Sequence, residues 1–158
     1  MSDIQITKFK STNKKNLFKL TSNDNEVYIK LENVFLPFNY QKYNNNYYIN
    51  AEVNLNDSNK LNLIKLFESM VKQMMNISDD KFISVIKPRD KSYHIKLMLK
   101  RHKNSILIDT DDELCLDKMS EYHKLNKVYD IIIKPEILWE LDGNFGIIFY
   151  LSKIIIKD

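Results

Sequence analysis

The stretch Ile137-Leu138-Trp139-Glu140-Leu141-Asp142-Gly143-Asn144-Phe145-Gly146-Ile147-Ile148-Phe149 decides how this chain folds. Asp142-Gly143-Asn144 supplies residues that accept the positive backbone angles of a tight hairpin turn, and the chain on either side is apolar, β-branched or aromatic. Gly146, inside the second arm, marks a bulge or a point where another group approaches the backbone closely. Trp139 is either a core plug beside Gly146 or a platform for stacking; a large ring opposite a glycine favours the plug.

Working outward, Lys127 to Lys134, Ile137 to Leu141 and Phe145 to Ile156 read as strands. Upstream, Tyr93 to Lys100 alternates, with Tyr93, Ile95, Leu97 and Leu99 on one face and His94, Lys96, Met98 and Lys100 on the other. Ser105 to Asp109 returns from it across Arg101-His102-Lys103-Asn104, and Glu113 to Leu116 is a further short strand. Met119 to Asn126 reads as a loop or a single helical turn, and Lys81 to Ile86 as a strand broken by Pro88. Val27 to Leu36 alternates as a strand, and Tyr47, Ile49, Ala51, Val53 and Leu55 share one face of another. One segment has helical period. From Asp57 or Ser58 as N-cap, Leu61, Ile64, Phe67, Met70, Val71 and Met74 form a core-facing stripe up to about Asn76. Residues 1 to 25 are a polar lead-in or one or two edge strands. About seven short strands with one helix and no βαβ rhythm predict a mainly β domain, a small barrel or sandwich.

The composition excludes several classes. The 158 residues fit one domain, and 44% hydrophobic with 28% charged residues is a globular balance. A single cysteine, Cys115, leaves no disulfide framework and no cysteine-based zinc site. Two glycines, Gly143 and Gly146, leave none for phosphate-cradling glycine motifs. No stretch approaches the roughly 20 apolar residues of a membrane span, and Met1 to Lys15 lacks a secretory h-region, so the expectation is an intracellular protein. Lysine, isoleucine and asparagine are the most frequent residues, as an AT-rich genome would favour, so the net charge of +3 matters less than where the lysines stand.

They stand together. Lys87, Arg89, Lys91, Lys96, Lys100, Arg101 and Lys103 fall in one stretch whose only acid is Asp90. These cations either guard an edge strand against aggregation or track phosphates. Tyr40, Tyr43, Tyr47 and Tyr48 crowd a strand–turn–strand region around Lys42. Tyr47 is core by its phase, whereas Tyr40, Tyr43 and Tyr48 are placed to stack on bases, which tips the reading toward nucleic acid. His94, His102 and His123 have no metal-ligand spacing, and no nucleophile motif is present. The acidic run Asp109, Asp111, Asp112 and Glu113 is either a solvated tip or a cation site.

Two stretches carry a family resemblance. Val34-Phe35-Leu36-Pro37-Phe38-Asn39, then Tyr43 and Tyr47-Tyr48-Ile49-Asn50-Ala51 leading into the helix, resembles the entry of single-stranded DNA-binding proteins from nucleocytoplasmic large DNA viruses. The hairpin around Trp139 and Gly146 resembles their closing motif, and a similar one in phage single-stranded DNA-binding proteins. Asn39 stands where the family has glycine, and Ile154 to Asp158 carries no acidic tail of the phage type for recruiting replication proteins. The resemblance implies an OB-like β-barrel over residues 26–158. It implies a non-enzymatic, sequence-independent single-stranded DNA-binding protein of viral DNA replication, recombination or repair, without cofactor, metal or membrane, in the host cytoplasm or nucleus. RNA binding, replication partners and a homo-oligomer stay open. The expected contacts are Tyr40, Lys42, Tyr43, Tyr48, Lys87, Arg89, Lys91, His94, Lys96, Lys100, Arg101 and Lys103. The rivals are a viral structural or protein-interaction module, and a small metal-dependent nuclease built on the acidic run.

Overall fold

Burial of alternate residues runs through most of the chain, and it produces strands. The computed structural model describes residues 4–12, 14–22, 27–43, 46–102, 105–107, 113–115 and 127–156, with backbone alone within 101–126 and at 156. Its strands are β1 (Ile4–Ser11), β2 (Lys15–Ser22), β3 (Ile29–Phe35), β4 (Gln41–Tyr43), β5 (Asn46–Asn54), β6 (Phe82–Ile83), β7 (Ile86–Pro88), β8 (Ser92–His102), β9 (Ser105–Leu107), β10 (Glu113–Cys115), β11 (Val128–Leu141) and β12 (Asn144–Ile156). A 3-10 turn, Leu55–Leu61, leads into the single long helix α1 (Asn62–Met75). The protein is mostly β with one helix.

Asp142 (φ 51°) and Gly143 (φ 83°) form the two-residue turn between β11 and β12, which pair from Leu141↔Asn144 to Tyr129↔Ile156. The first half of β11 pairs with β3 and the second half with β2, whose other edge takes β1. β3 meets β5 at Phe35↔Glu52, β5 runs antiparallel to β8, and β8 meets β12 in parallel at Leu97 and Met98. Strand pairing therefore closes a circuit, β11–β3–β5–β8–β12–β11. β4 and β7 lie on β5 and β8, β6 lies parallel to β12, and β9 with β10 extends the far end of β8.

Ile29, Leu31, Ile49, Ala51, Val53, Ile95, Leu97, Ile131, Ile133 and Phe149 fill the inside of the circuit. Leu61, Ile64, Phe67 and Val71 of the helical segment are fully buried against them, Phe67 meeting Phe149 edge-on at 6.4 Å. Each such side chain contributes about 1.5–3 kcal/mol on burial. The alternation of β3 breaks at Asn33 (φ 53°), a bulge whose N–H is accepted by the buried Asp130 carboxylate at 3.0 Å. The bulge shifts the phase by one residue, which is why Val34 is buried after Leu31.

Several expectations need correction. Short strands double the count: there are twelve among the described residues, because β4, β6, β7, β9 and β10 are two- or three-residue segments. Pro135 does not divide β11; it falls between the residues paired to β3 and those paired to β2, and a register shift follows it. Neither Asp57 nor Ser58 caps the helix, since both lie in the 3-10 turn, where Asp57 leaves helical angles. Pro88 ends β7 rather than interrupting a strand from Lys81. Leu55 and Met74, expected in the core, are 41% and 52% exposed. The readings placed on Lys103, on Asp109, Asp111 and Asp112, on His123 and on the 119–126 segment lie outside the described residues, as do the side chains of Arg101, His102, Glu113 and Cys115.

Trp139 is not a core plug. Leu138 beside it is fully buried, and the indole, half-buried on the outer face, lies across its strand partner Gly146. A Cβ at Gly146 would overlap Cζ2, Cε2 and Nε1 of the ring. Gly146→Ala is therefore expected to lower stability by about 1–3 kcal/mol through overpacking, and Trp139→Leu in the same chain to recover much of it. Thermal and urea unfolding check this; a Gly146→Ala protein as stable as wild type would show that the ring moves aside freely.

Candidate nucleic-acid interface

The outer faces of β5 and β8 make a floor. Their antiparallel register sets Tyr48 opposite Met98, Asn50 opposite Lys96 and Glu52 opposite His94, while the alternate residues turn into the core. β7 shares the other edge of β8 with β12, and so raises a wall carrying Lys87 and, just beyond it, Arg89. Trp139 and Ile148 close one end, and the exposed Tyr43 stands at the rim.

The resulting cleft has two adjoining parts that share Tyr48, Asn50, Arg89 and Lys96. The apolar part, about 540 Å³, is bordered by Tyr43, Tyr48, Met98, Trp139 and Ile83. The polar part, about 820 Å³, is bordered by Phe38, Gln41, Glu52, Lys91 and His94. Lys96 Nζ sits 4.3 Å from the centre of the Tyr48 ring, a cation–π contact. The Tyr48 hydroxyl donates to Gln41 Oε1, which fixes the ring's tilt. His94 Nε2 lies 2.9 Å from Glu52 Oε2, and the half-exposed Phe38 ring is 6.0 Å from the imidazole.

The cations differ in their commitments. No described carboxylate lies within ion-pairing distance of Lys87, Arg89, Lys91 or Lys96. Lys100, on the same face of β8, is held by Glu136 at 3.0 and 3.1 Å, and its ammonium lies 5.3 Å from the Tyr150 ring centre. Burial, and then the Glu136 charge, push the Tyr150 phenol above its ordinary range.

Of the residues expected from sequence, Tyr43, Tyr48, Lys87, Arg89, Lys91, His94 and Lys96 come together around the cleft. Tyr40 does not: its ring packs edge-on against Tyr47 at 5.5 Å and rests on the core. Lys42 is exposed on β4 over the Tyr47 ring at 5.8 Å, away from the lining. Sequence reasoning missed Phe38, Ile83 and Met98, and set Trp139 aside. Met98 shares a strand face with Lys96, so its phase carried the signal. Among the described residues no group of three His, Cys, Asp or Glu is placed to hold a metal ion, and no helix is long and apolar enough to cross a membrane.

No protein-family model matches this chain, and no curated protein matches it in sequence. Its fold is nonetheless similar to solved structures of the single-stranded DNA-binding protein from bacteriophage Enc34. A C-terminal truncation of that protein aligns with TM-score 0.58 and 13% identity, over 98% of this chain and 94% of that one. Another structure of it aligns with TM-score 0.55 and 16% identity, over 98% and 90%. The same protein in complex with single-stranded DNA aligns with TM-score 0.54 and 13% identity, over 98% and 96%. None of these findings supports the narrower resemblance to proteins of nucleocytoplasmic large DNA viruses; what they establish is a fold shared with a phage single-stranded DNA-binding protein.

Proposed function

We propose that this protein binds single-stranded DNA without sequence preference along the β5–β8 cleft, and that the five-strand circuit behind it is an OB-like barrel. The observation that carries the reading is the juxtaposition at Tyr48: an aromatic face on a rigid strand, with Lys96 over it and Lys87 and Arg89 beside it. Bases stack on the rings while the cations meet the phosphates, and no chemistry is done on the strand. The phage neighbour in complex with single-stranded DNA supports the same reading from the side of the fold. A role in viral DNA replication, recombination or repair, in the host cytoplasm or nucleus, goes with it.

Stacking needs splayed bases, which duplex DNA withholds. Binding is expected to be tighter to a single strand than to duplex of equal length at matched salt; equal affinities would leave only unspecific lysine attraction. The nuclease alternative has its own readout: a labelled strand incubated with Mg²⁺ or Mn²⁺ is expected to stay full-length, and metal-dependent shortening lost in Asp111→Ala would reassign the protein.

Charge and stacking separate by salt. Lys87→Ala, Arg89→Ala and Lys96→Ala combined are expected to leave the melting temperature nearly unchanged, since Lys87, Arg89 and Lys96 are all exposed. Each phosphate contact on a single strand contributes a slope of about −0.7 in log affinity against log salt, so the triple variant should flatten the slope by up to ~2 units. Tyr48→Ala should cost about 1–3 kcal/mol of binding with the slope preserved. A folded triple variant with the wild-type slope would move the phosphate path out of this cleft.

A further inference from the structure

Glu68 is buried, only 5% exposed, on α1 beside Phe67. Its Oε1 accepts the Ser84 hydroxyl at 2.7 Å and its Oε2 accepts the Val85 N–H at 3.0 Å. Ser84 Oγ in turn accepts the Ile86 N–H at 3.1 Å. One carboxylate thereby organises the link between β6 and β7. Those strands are weakly held by themselves, β6 by two residue pairs with β12 and β7 by three with β8. One turn along the helix, Lys72 adds a second fastening, 5.5 Å from the Phe82 ring centre and 3.1 Å from Asp79.

The link is also the cleft wall. Ile83, Ser84 and Val85 line it, and the same run of chain continues into Lys87 and Arg89. Burial pushes the Glu68 carboxyl above the usual carboxylate range, so an ion here costs stability that an apolar side chain of the same size would not. A charge kept at such a cost calls for a role other than holding the core. We propose that Glu68 is a positioning residue: through Ser84 and Val85 it fixes the wall that carries Lys87 and Arg89 against helix α1, where those cations meet the phosphates. The inference rests on the reading of the cleft as a single-strand site.

The test is a fluorescence-anisotropy titration of a labelled oligothymidylate over a range of salt, with melting temperatures measured alongside. Glu68→Gln should bind as wild type, because its amide accepts from Val85 N–H and donates to Ser84 Oγ. Glu68→Met fills the same space but leaves the link untied. It is expected to melt no lower than wild type, yet to bind more weakly, with a slope flattened by up to about 1.4, the worth of two phosphate contacts. In a Lys87→Ala, Arg89→Ala background, Glu68→Met should have no further effect. A folded Glu68→Met with wild-type affinity and slope overturns the proposal, and so does an equal loss in the background lacking both cations. If Glu68→Met does not fold, Ser84→Ala cuts the link from its other end and must flatten the slope, or the proposal falls. Wild-type protein that fails to bind the strand at all sinks the cleft reading itself. Wild type that binds, with variants that bind equally, sinks the role of Glu68 alone.

Discussion

The pairing of β11 with β12 holds the rest of the sheet in place. β11 lends one edge to β3 and β2 in succession and the other to β12, which in turn meets β8 and β6. Five strands thus take their position from one hairpin. Its end is closed on the inside by Leu138 and Ile147 and on the outside by the indole of Trp139 over Gly146. A glycine is needed there for space rather than for its backbone angle, because the ring occupies the place of its side chain. The same contact sets the indole at the end of the cleft, so fold and candidate site share one constraint.

How much of this was legible in the sequence depends on how local each cause is. Tyr47 to Val53 and Tyr93 to Leu99 could be read because each strand buries one face and turns the other outward, so alternation survives in the residues themselves. The helix was legible for the same reason at its own period, and Asn76 ends it at φ 54°, an angle asparagine tolerates. By contrast, β4, β6 and β7 are too short to carry a pattern; their partners make them strands. The bulge at Asn33 is held by Asp130, far along the chain, and nothing near Asn33 announces it. Pro135 misled in the opposite sense, since a missing N–H matters little where the neighbouring strand changes.

The candidate site follows the same division. Phase placed Tyr48, His94 and Lys96 on one outward face, and clustering drew attention to Lys87 and Arg89. What phase does not reveal is which outward groups are already engaged. Tyr40 is claimed by Tyr47, and Lys100 by Glu136, both through contacts between strands. Trp139 was misjudged because a ring opposite a glycine suits either face of a sheet. Only the position of Leu138, fully buried, decides which one.

The distribution of engaged and unengaged groups bears on the kind of recognition this face offers. Its acids sit against cations, Glu52 beside His94 and Glu136 beside Lys100 and Lys134, so the field over the cleft is set by Lys87, Arg89, Lys91 and Lys96. Those four are exposed, on long flexible stems, and able to follow phosphates wherever a strand places them. The rings of Tyr48 and Trp139 are fixed by strand pairing before any ligand arrives. Reading a base edge requires rigid donors and acceptors with capacity to spare. Here the Gln41 carbonyl is taken by the Tyr48 hydroxyl, and the Glu52 carboxylate by His94. With the floor's polar groups committed to one another, stacking and phosphate attraction are the terms left to dominate, and both are blind to sequence.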